Sequence, residues 1–489
     1  MNNKFYIKES LLDTIIRLIM ASKMEKRILD MFNNNKFDDD FINVQLDPIV
    51  NQLILPYQIL HVMNLVAALK KGKDVTIIDG SSTGTGKTYS AAATCAQLGL
   101  RPYIICPRSI IGNWKNICGQ FNVNPIEIVN YETIRHCKEY NLMGKRVGSK
   151  YLRKEGKTFK WDFSSLGNDA KNVIVIFDEA HKCKNNNSLN GKILLGLKKI
   201  ARVILLSATL CDKPKDFLVF GYMLGFYDDL KKGRNWIQGI IREDANKFGK
   251  ESTLSKKIFP LKGSKMSLED LGTKIPQNII STECYTIKQK YAKKINEEYE
   301  KIRGNVENDK GNKGILQLKA ITKARQKIEK YKVPIMIELT NKYMEDNKSV
   351  VIFINFLKTM NMLKSDYDKL GIKYSIIVGG QTDKDRLVNI ELFQKNENRV
   401  IVVMMQAGGE SINLHDTNGK FPRVSIISPS MSSIELIQAL GRIYRAEVKS
   451  RVLQKLIYCD NTYETNICNI IKKKVNFINK LTDDDLIKF

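Results

Sequence analysis

A short segment rich in glycine, serine and threonine has the composition of a loop that wraps the phosphates of a nucleotide. Residues 81–88 read Ser-Ser-Thr-Gly-Thr-Gly-Lys-Thr, after an apolar strand pattern at 75–79 and before a helical pattern at 89–98. Glycines allow backbone N–H groups to close around anionic oxygens, and the following helix N-terminus adds its positive end. The phosphate-binding residues that this pattern predicts are Ser82, Thr83, Gly84, Thr85, Gly86, Lys87 and Thr88.

The lysine and threonine that close the segment define the ligand further. Lys87 has the reach for the β- and γ-phosphates of a triphosphate, and the Thr88 hydroxyl can bind magnesium. The full motif has glycine at position 81, whereas this chain has Ser81 with Gly80 just before it. The alternative is a chance Gly/Ser/Thr turn, which the flanking strand and helix patterns disfavour.

Two carboxylates follow a second apolar strand pattern. Residues 173–177 read Val-Ile-Val-Ile-Phe and run directly into Asp178 and Glu179. Ligands of open α/β sheets bind at the carboxyl ends of the strands. We predict that Asp178 holds magnesium, directly or through water, and that Glu179 orients and deprotonates an attacking water. The alternative is an ordinary acidic turn after a strand, and the phosphate-binding loop upstream disfavours it.

Strand and helix patterns alternate around these motifs in two stretches of the chain. Apolar strand patterns lie at 75–79, 103–106, 173–177 and 203–206, and again at 350–354, 374–378, 400–404 and 424–427. Alternation of this kind is typical of βαβ units in a parallel sheet. The sequence therefore predicts two α/β lobes, with a Lys-rich, partly helical insert between them from about residue 215 to 330.

Composition restricts the kind of protein and its partner. The 489 residues include 79 Lys or Arg against 52 Asp or Glu, a formal charge of +27, and 43% of the residues are hydrophobic. That hydrophobic fraction excludes a disordered or collagen-like chain. The charge favours a polyanionic partner, with nucleic acid as the first candidate and an anionic membrane surface as a weak second.

Cysteine and histidine usage indicates a reducing, intracellular compartment, such as cytoplasm, nucleus or a viral factory. Nine cysteines contain no C-x-x-C pair, and none of the four histidines has metal-ligand spacing to a cysteine pair. The apolar patch at 11–20 is short and interrupted by Asp13 and Arg17, so we expect a packing helix and no membrane span.

In this order the two motifs resemble those of the superfamily-two helicases and translocases, and further segments match that family. In the first lobe, residues 55–58 resemble the glutamine motif of its Swi/Snf-type branch, 106–114 its motif Ia, 130–132 its next strand motif, and 207–209 its motif III. In the second lobe, residues 351–356, 379–386, 407–414 and 438–445 resemble motif IV, the segment after it, motif V and motif VI.

The resemblance implies a fold and a cofactor. We expect an α/β protein with two tandem RecA-like P-loop NTPase lobes that binds ATP and magnesium. The implied segments are a helical extension at 1–50, an ATP-binding lobe at 51–215, a basic helical insert at 216–330, a second lobe at 331–460 and a helical tail at 461–489.

The resemblance also assigns roles residue by residue. It implies that Gln58 recognises adenine and that Gly409 belongs to the nucleotide site. Gln438, Arg442 and Arg445 would face the γ-phosphate, and His181, Ser207 and Thr209 would couple the ATP site to a bound strand. Arg108, Ser109, Trp114 and Asn355 are the implied nucleic-acid contacts, with buried anchoring as the favoured alternative for Trp114.

The substrate stays open between two enzyme functions. Swi/Snf-like segments favour DNA translocation or unwinding, while Ser-Ala-Thr at 207–209 and Gly441 favour an RNA helicase. A catalytically inactive nucleic-acid clamp is a further alternative, and the intact catalytic residues argue against it. We expect a monomer that binds DNA or RNA through the backbone without sequence preference.

A basic stretch at 145–160 also admits two interpretations. It carries Lys150, Arg153 and further cations around Tyr151 and Phe159. It is either a loop that contacts the nucleic-acid backbone or separates strands, or a solvated basic loop without that role.

Overall fold

The computed structural model describes residues 44–245, 253–267, 276–285, 289, 292–294, 296–297, 322–323, 325–408, 412–430, 432–460, 462 and 464. The described residues up to 267 belong to one compact unit, and those from 276 onward belong to a second. The predicted extension at 1–50 lies mostly outside the described residues. So do Gly409 and nearly all of the predicted tail at 461–489.

The first unit is built on a six-stranded parallel sheet with the strand order β10-β1-β9-β8-β2-β3. Its central strands are apolar along their length and buried on both faces, as expected where helices cover both sides of a parallel sheet. The strands are β1 Thr76–Asp79, β2 Arg101–Cys106, β3 Glu127–Asn130, β8 Val173–Asp178, β9 Arg202–Leu206 and β10 Gly263–Ser264.

Nine helices of the first unit lie among the described residues. They are α1 Pro48–Leu53, α2 Ile59–Lys70, α3 Lys87–Leu98, α4 Ile111–Gln120, α5 Tyr131–Ile134, α6 Leu189–Leu195, α7 Leu218–Met223, α8 Leu230–Ala245 and α9 Thr253–Ile258. Asp47 caps α1 by accepting a hydrogen bond from the Ile49 N–H, and Ser188 caps α6 in the same way through Gly191. Together with the sheet these helices enclose one continuous apolar core.

Two antiparallel hairpins interrupt the first unit between β3 and β8. Strands β4 Lys138–Tyr140 and β5 Arg146–Gly148 form one, and β6 Leu152–Glu155 and β7 Thr158–Trp161 form the other. The basic stretch predicted as a loop is therefore largely strand.

The second unit repeats the plan of the first. Its six-stranded parallel sheet has the order β11-β16-β15-β12-β14-β13. The strands are β11 Asn278–Tyr285, β12 Ser349–Ile354, β13 Tyr374–Ile377, β14 Val400–Met404, β15 Arg423–Ile427 and β16 Val452–Cys459. The helices of this unit whose bounds lie within the described ranges are α10 Val333–Glu345, α11 Leu357–Lys369, α12 Asp383–Gln394, α13 Met405–Gly408 and α14 Ser433–Ile443. The prediction of two α/β lobes with parallel sheets is confirmed.

The structure differs from the prediction in the segment at 216–330. Its described part is divided between the two units, because α7 to α9 pack on the first sheet and β10 extends it, whereas β11 pairs with β16 of the second. Buried residues such as Phe220 and Ile258 explain the packing on the first unit. Lysine-rich composition concealed these short apolar contacts.

Two smaller observations concern membrane-spanning helices and cysteine pairing. Among the helices that the structure describes, none combines the length and the hydropathy needed to cross a bilayer. Eight cysteines lie in the described ranges and all are free thiols, most of them buried.

Strand β10 gives a direct test of this division. A Cβ on Gly263 would lie 2.1 Å from the Ile78 carbonyl oxygen, so G263A must push β10 away from β1. We expect G263A to lower the free energy of unfolding by about 2–3 kcal/mol, measured by urea denaturation. The matched variant G239A, inside α8 with no atom within 4 Å of its Cβ, should be neutral or stabilising. Equal stabilities of the two variants would contradict the placement of β10.

Candidate active site

The sequence motifs of the first unit converge because the strands that precede them are neighbours. In the order β1, β9, β8, β2 and β3, every strand runs parallel to the next. Parallel strands present all their carboxyl ends at one edge. The phosphate-binding loop, the segments after β9 and β8, and motif Ia therefore emerge side by side along that edge.

The phosphate-binding loop has the backbone that its glycines permit. Gly84 and Gly86 have φ values of 83° and 89°, in the left-handed region that favours glycine. Gly86 is required for a second reason, because a Cβ there would lie 2.5 Å from Gln58 Nε2. Helix α3 then begins at Lys87, whose Nζ donates to the carbonyl oxygens of Ser81 at 2.8 Å and Ser82 at 3.0 Å.

Gln58 contacts this loop rather than open solvent. Its Nε2 donates to the Thr85 carbonyl oxygen at 3.1 Å, and its Oε1 accepts the Leu55 N–H at 2.9 Å. The buried side chain thus fixes the loop from the side of α2. Recognition of adenine by Gln58 stays a prediction.

Ser81, the departure from the glycine of the full motif, has a structural explanation. Strand β10 continues along the loop, since the N–H groups of Gly80 and Ser82 donate to the Ser264 and Met266 carbonyl oxygens at 2.9 and 2.8 Å. The Met266 N–H in turn donates to the Ser81 hydroxyl at 2.9 Å. A serine at this position therefore ties the loop to the edge strand.

A buried histidine–aspartate pair lies beneath the loop and was not predicted. His61 Nε2 is 3.0 Å from Asp79 Oδ2, and the Ser81 N–H donates to Asp79 Oδ1 at 3.0 Å. Burial raises the pKa of Asp79, but His61, Lys87 and these hydrogen bonds outweigh it and leave the pKa lowered. The only sequence signal was an acidic residue at the end of an apolar strand.

Asp178 is a buried carboxylate with two fixed donors. Trp114 Nε1 on α4 donates to its Oδ2 at 3.0 Å, and the Glu179 N–H donates to its Oδ1 at 2.9 Å. The Tyr131 hydroxyl donates to its carbonyl oxygen at 2.8 Å. Trp114 and Tyr131 lie in the segments that resemble motif Ia and the motif after it, so both segments meet at Asp178.

The electrostatics of Asp178 suit a cation ligand. Burial, and secondarily the neighbouring Glu179, raise its pKa to about 7, although the Trp114 hydrogen bond and Lys87 act in the opposite direction. A divalent cation would stabilise the charged carboxylate. Among the described residues, no group of three or more His, Cys, Asp or Glu could hold a metal alone. Magnesium on a nucleotide needs only one or two carboxylates, so Asp178 and the Thr88 hydroxyl fit as its protein donors.

Glu179 begins a short chain of contacts toward the segment after β9. It adopts a left-handed backbone with φ 58°, which is costly for a residue other than glycine and is characteristic of functional sites. His181 Nδ1 lies 3.3 Å from Glu179 Oε2 and 3.4 Å from the Ser207 hydroxyl. The Ser207 hydroxyl also accepts the Thr209 N–H at 3.3 Å. The predicted coupling residues are therefore in mutual contact, and their role stays a prediction.

The predicted γ-phosphate residues lie on α14 and directly after it in the second unit. Gln438 and Arg442 are buried on the helix, and Arg445 Nη2 donates to the Ile412 carbonyl oxygen at 3.1 Å. The Leu414 N–H donates to the Arg442 carbonyl oxygen at 3.0 Å. The described part of the motif V segment is thereby held against the arginine segment. The function of these side chains toward ATP stays a prediction.

The proposed nucleic-acid residues divide into two groups. Arg108, Ser109, Lys150 and Arg153 are exposed. Trp114 is fully buried, so its ring has no access to a base, and anchoring of Asp178 replaces base contact as its interpretation.

Asn355 is half-buried, and its contact with nucleic acid stays a prediction. Its Nδ2 donates to Glu329 Oε2 at 2.7 Å, and to the carbonyl oxygens of Ser428 and Pro429, both at 3.3 Å. The amide is therefore engaged within the second unit and holds its strand ends together.

Two family models match the chain. "Type III restriction enzyme, res subunit" matches residues 52–212, and "Helicase conserved C-terminal domain" matches residues 331–447. A putative ATP-dependent RNA helicase of Acanthamoeba polyphaga mimivirus is 35% identical over 465 residues, which cover 88% of this chain and 84% of that protein. A RAD54-like DNA repair and recombination protein of Drosophila erecta is 25% identical over 182 residues, covering 34% of this chain and 23% of that protein.

Among solved structures, the Sulfolobus solfataricus SWI2/SNF2 ATPase core in complex with dsDNA covers 91% of this chain and 94% of that one, at 16% identity and a TM-score of 0.34. The motifs and the sequence relatives carry the assignment. The chain is a two-lobed P-loop ATP hydrolase, and it belongs to helicase superfamily two.

Titration of Asp178 gives a prediction for stability. Its pKa of about 7 lies above the ordinary aspartate value, so the folded state loses stability as pH rises from about 4 through 7. D178N, which carries no charge, avoids that loss. One amide oxygen cannot accept from both the Trp114 and the Glu179 N–H groups, so D178N carries a cost that does not depend on pH. We expect the free energy of unfolding of D178N relative to the wild type to rise between pH 5 and pH 8 in urea titrations without magnesium. A difference independent of pH would contradict the raised pKa.

The bond from Trp114 gives a second prediction. W114F keeps an apolar ring but removes the donor that orients Asp178, and loss of such outer contacts commonly weakens metal binding by about 10–100-fold. We expect the magnesium concentration for half-maximal ATP hydrolysis to rise by about tenfold. W161F is the matched control, because buried Trp161 Nε1 donates to the Ile193 carbonyl oxygen at 3.0 Å and not to Asp178. The same magnesium requirement in both variants would show that Trp114 only fills space.

Proposed function

We propose that this chain hydrolyses ATP in response to nucleic acid and uses the cycle to translocate along DNA or to unwind it. The observation that supports this most directly is the set of contacts at one sheet edge. Lys87 follows β1, and Asp178 and Glu179 lie at the end of β8, two strands away in the same parallel sheet. Ser207 follows the intervening strand β9, and His181 joins it to Glu179.

Each side chain has a defined part in the proposed reaction. Lys87 leaves the carbonyl oxygens of the loop to bind the β- and γ-phosphates, and the loop N–H groups bind the remaining phosphate oxygens. Magnesium, when bound, neutralises phosphate charge, and Asp178 and Thr88 are its protein donors. Glu179 orients water and accepts its proton as the water attacks the γ-phosphate.

The second unit completes the proposed site. We propose that Arg442 and Arg445 stabilise the charge that develops on the γ-phosphate, with Gln438 beside them. Because these groups belong to a separate unit, hydrolysis would be slow until nucleic acid aligns the two units. Closure around ATP and opening after hydrolysis would then move the units along a strand.

Positive charge supports a phosphate-backbone partner. The chain carries +27, and exposed Arg108 and Ser109 directly follow β2, the neighbour of the Asp178 strand. Contacts of this kind release counterions, so binding should weaken steeply with salt and should not depend on base sequence.

An RNA helicase is the second candidate. It is favoured by the name of the mimivirus relative, a putative ATP-dependent RNA helicase that matches most of both chains. The RAD54-like relatives, named for DNA repair and recombination, support the DNA proposal over a shorter span.

Hydrolysis and binding can be separated by substitution. We expect E179Q and K87A to reduce ATP turnover by at least about 100-fold while nucleic-acid affinity is retained, because general-base loss alone costs about 10²–10⁴. The measurements are phosphate release and fluorescence anisotropy, each with duplex DNA, single-stranded DNA and RNA of one sequence. E338Q, at an exposed glutamate on α10, is the control.

The outcomes distinguish the candidates. Stimulation by DNA supports the main proposal, and stimulation by RNA alone supports the second candidate. Undiminished turnover in both E179Q and K87A would refute the site, and binding without turnover in the wild type would identify an inactive clamp.

A further inference from the structure

The two hairpins of the first unit follow one another in the chain and together present a charged surface, here called the basic arm, at residues 138–161. It carries eight Lys or Arg and two Glu. All eight cations are exposed, whereas Glu139 is buried and Glu155 Oε1 accepts a hydrogen bond from Arg153 Nε at 2.8 Å. The surface of the arm is therefore almost entirely positive.

Two of the exposed cations face each other across the second hairpin. Arg153 on β6 lies directly opposite Lys160 on β7, and like charges at facing positions destabilise a hairpin. Aromatic packing offsets this repulsion. The ring centroid of Trp161 lies 5.2 Å from that of Tyr103 on β2 and 5.6 Å from that of Phe163, on which it stacks. The arm is thus fixed to the sheet by its buried side and presents its cations outward.

The turn between β4 and β5 presents two large apolar side chains to solvent. Leu142 is fully exposed and Met143 is 83% exposed. The turn is ordered by Asn141, whose Oδ1 accepts the N–H groups of Met143 at 3.1 Å and Lys145 at 2.8 Å. The pair is therefore displayed on a hydrogen-bonded turn beside exposed Lys145 and Arg146.

The base of this hairpin is bonded to the residues around the ATP site. The Tyr140 hydroxyl donates to Asn130 Oδ1 at 2.8 Å, and the next residue, Tyr131, donates to the Asp178 carbonyl oxygen at 2.8 Å. Buried Glu139 accepts the Ser149 hydroxyl at 3.0 Å and closes the hairpin from within. Hydrogen bonds of the neighbouring residues Asn130 and Tyr131 therefore link the base of the hairpin to the strand end that holds Asp178.

We propose that the basic arm binds nucleic acid where duplex and single strand meet, with its cations on phosphates and Leu142 and Met143 against the bases. Apolar side chains inserted at a base step partly unstack it, and flanking cations hold the backbone in place. This assignment rests on the proposed nucleic-acid-dependent function and names the element of the first unit that meets the bases.

The occupant is argued from charge and area. Two apolar residues offer too little surface for a stable protein interface, and the cations extend along both hairpins beyond the turn. That distribution matches a phosphate backbone running past a local base contact. A negatively charged membrane is the competing surface, and the experiment includes it.

The test uses the full chain and a forked DNA with 2-aminopurine at the junction, together with the same fork in RNA. Unstacking of 2-aminopurine raises its fluorescence. At saturating protein we expect the fluorescence increase with L142S/M143S to be about tenfold smaller than with the wild type. The reason is that unstacking a base step costs a few kcal/mol, which the variant no longer offsets. K145A/R146A should instead lower the slope of log affinity against log salt by about 2.

The control is L387S/V388S, a second adjacent pair of exposed apolar residues on α12. It should match the wild type in fluorescence, affinity and unfolding midpoint. The unfolding midpoint of L142S/M143S should also be unchanged, since these side chains bury very little surface.

The proposal is overturned if L142S/M143S keeps the full fluorescence increase, or if the wild type binds the fork without any increase. It is also overturned if the same substitution abolishes flotation with phosphatidylserine vesicles while the fork signal persists. If the wild type binds none of the nucleic acids, the result is a separate one, because it refutes the proposed function itself. Loss of fluorescence with retained affinity supports the assignment.

Discussion

The buried carboxylate of Asp178 is the constraint around which the first unit is organised. Burying an ionisable group without partners is costly, and the cost is seen in its raised pKa of about 7. Three groups offset that cost: the indole of Trp114, the N–H of Glu179 and the more distant charge of Lys87. Each of these groups belongs to a different sequence motif. The three motifs are therefore positioned around the one buried charge that they stabilise.

The same arrangement explains how events at the protein surface can reach the nucleotide. Helix α4 follows exposed Arg108 and Ser109 and carries Trp114 on its buried face. A phosphate bound at the start of this segment therefore acts on a helix that directly contacts Asp178. On the other side, His181 lies within contact distance of both Glu179 and Ser207. The proposed surface contacts and the proposed general base Glu179 are thus linked by a short series of contacts along one sheet edge.

Sequence reasoning succeeded where a motif depends on local chemistry and failed where it depends on distant contacts. The apolar strand patterns before the Lys87 loop and before Asp178 predict both the sheet and the candidate site. They do so because the strand pattern and the reactive residues are adjacent in the chain. The pairing of β10 with β1 joins residues 185 positions apart and leaves no periodic signal in a two-residue strand. Trp114 was recognised by its motif, but its bond to Asp178 follows from the packing of α4 alone.

Ser81 shows why a departure from a motif is informative only with its surroundings. Glycine would give the loop freedom, whereas this serine receives the Met266 N–H and lies next to Asp79, whose carboxylate accepts the serine's own N–H. His61 orients that carboxylate from α2, and Gln58, three residues earlier, holds the other end of the loop. The loop is therefore pre-formed by the fold rather than by its glycines alone, and less conformational entropy remains to be lost when phosphate binds. An anion site pre-formed after β1, at the same sheet edge as the buried carboxylate of Asp178 on β8, is what the proposed gated hydrolysis requires of the first lobe.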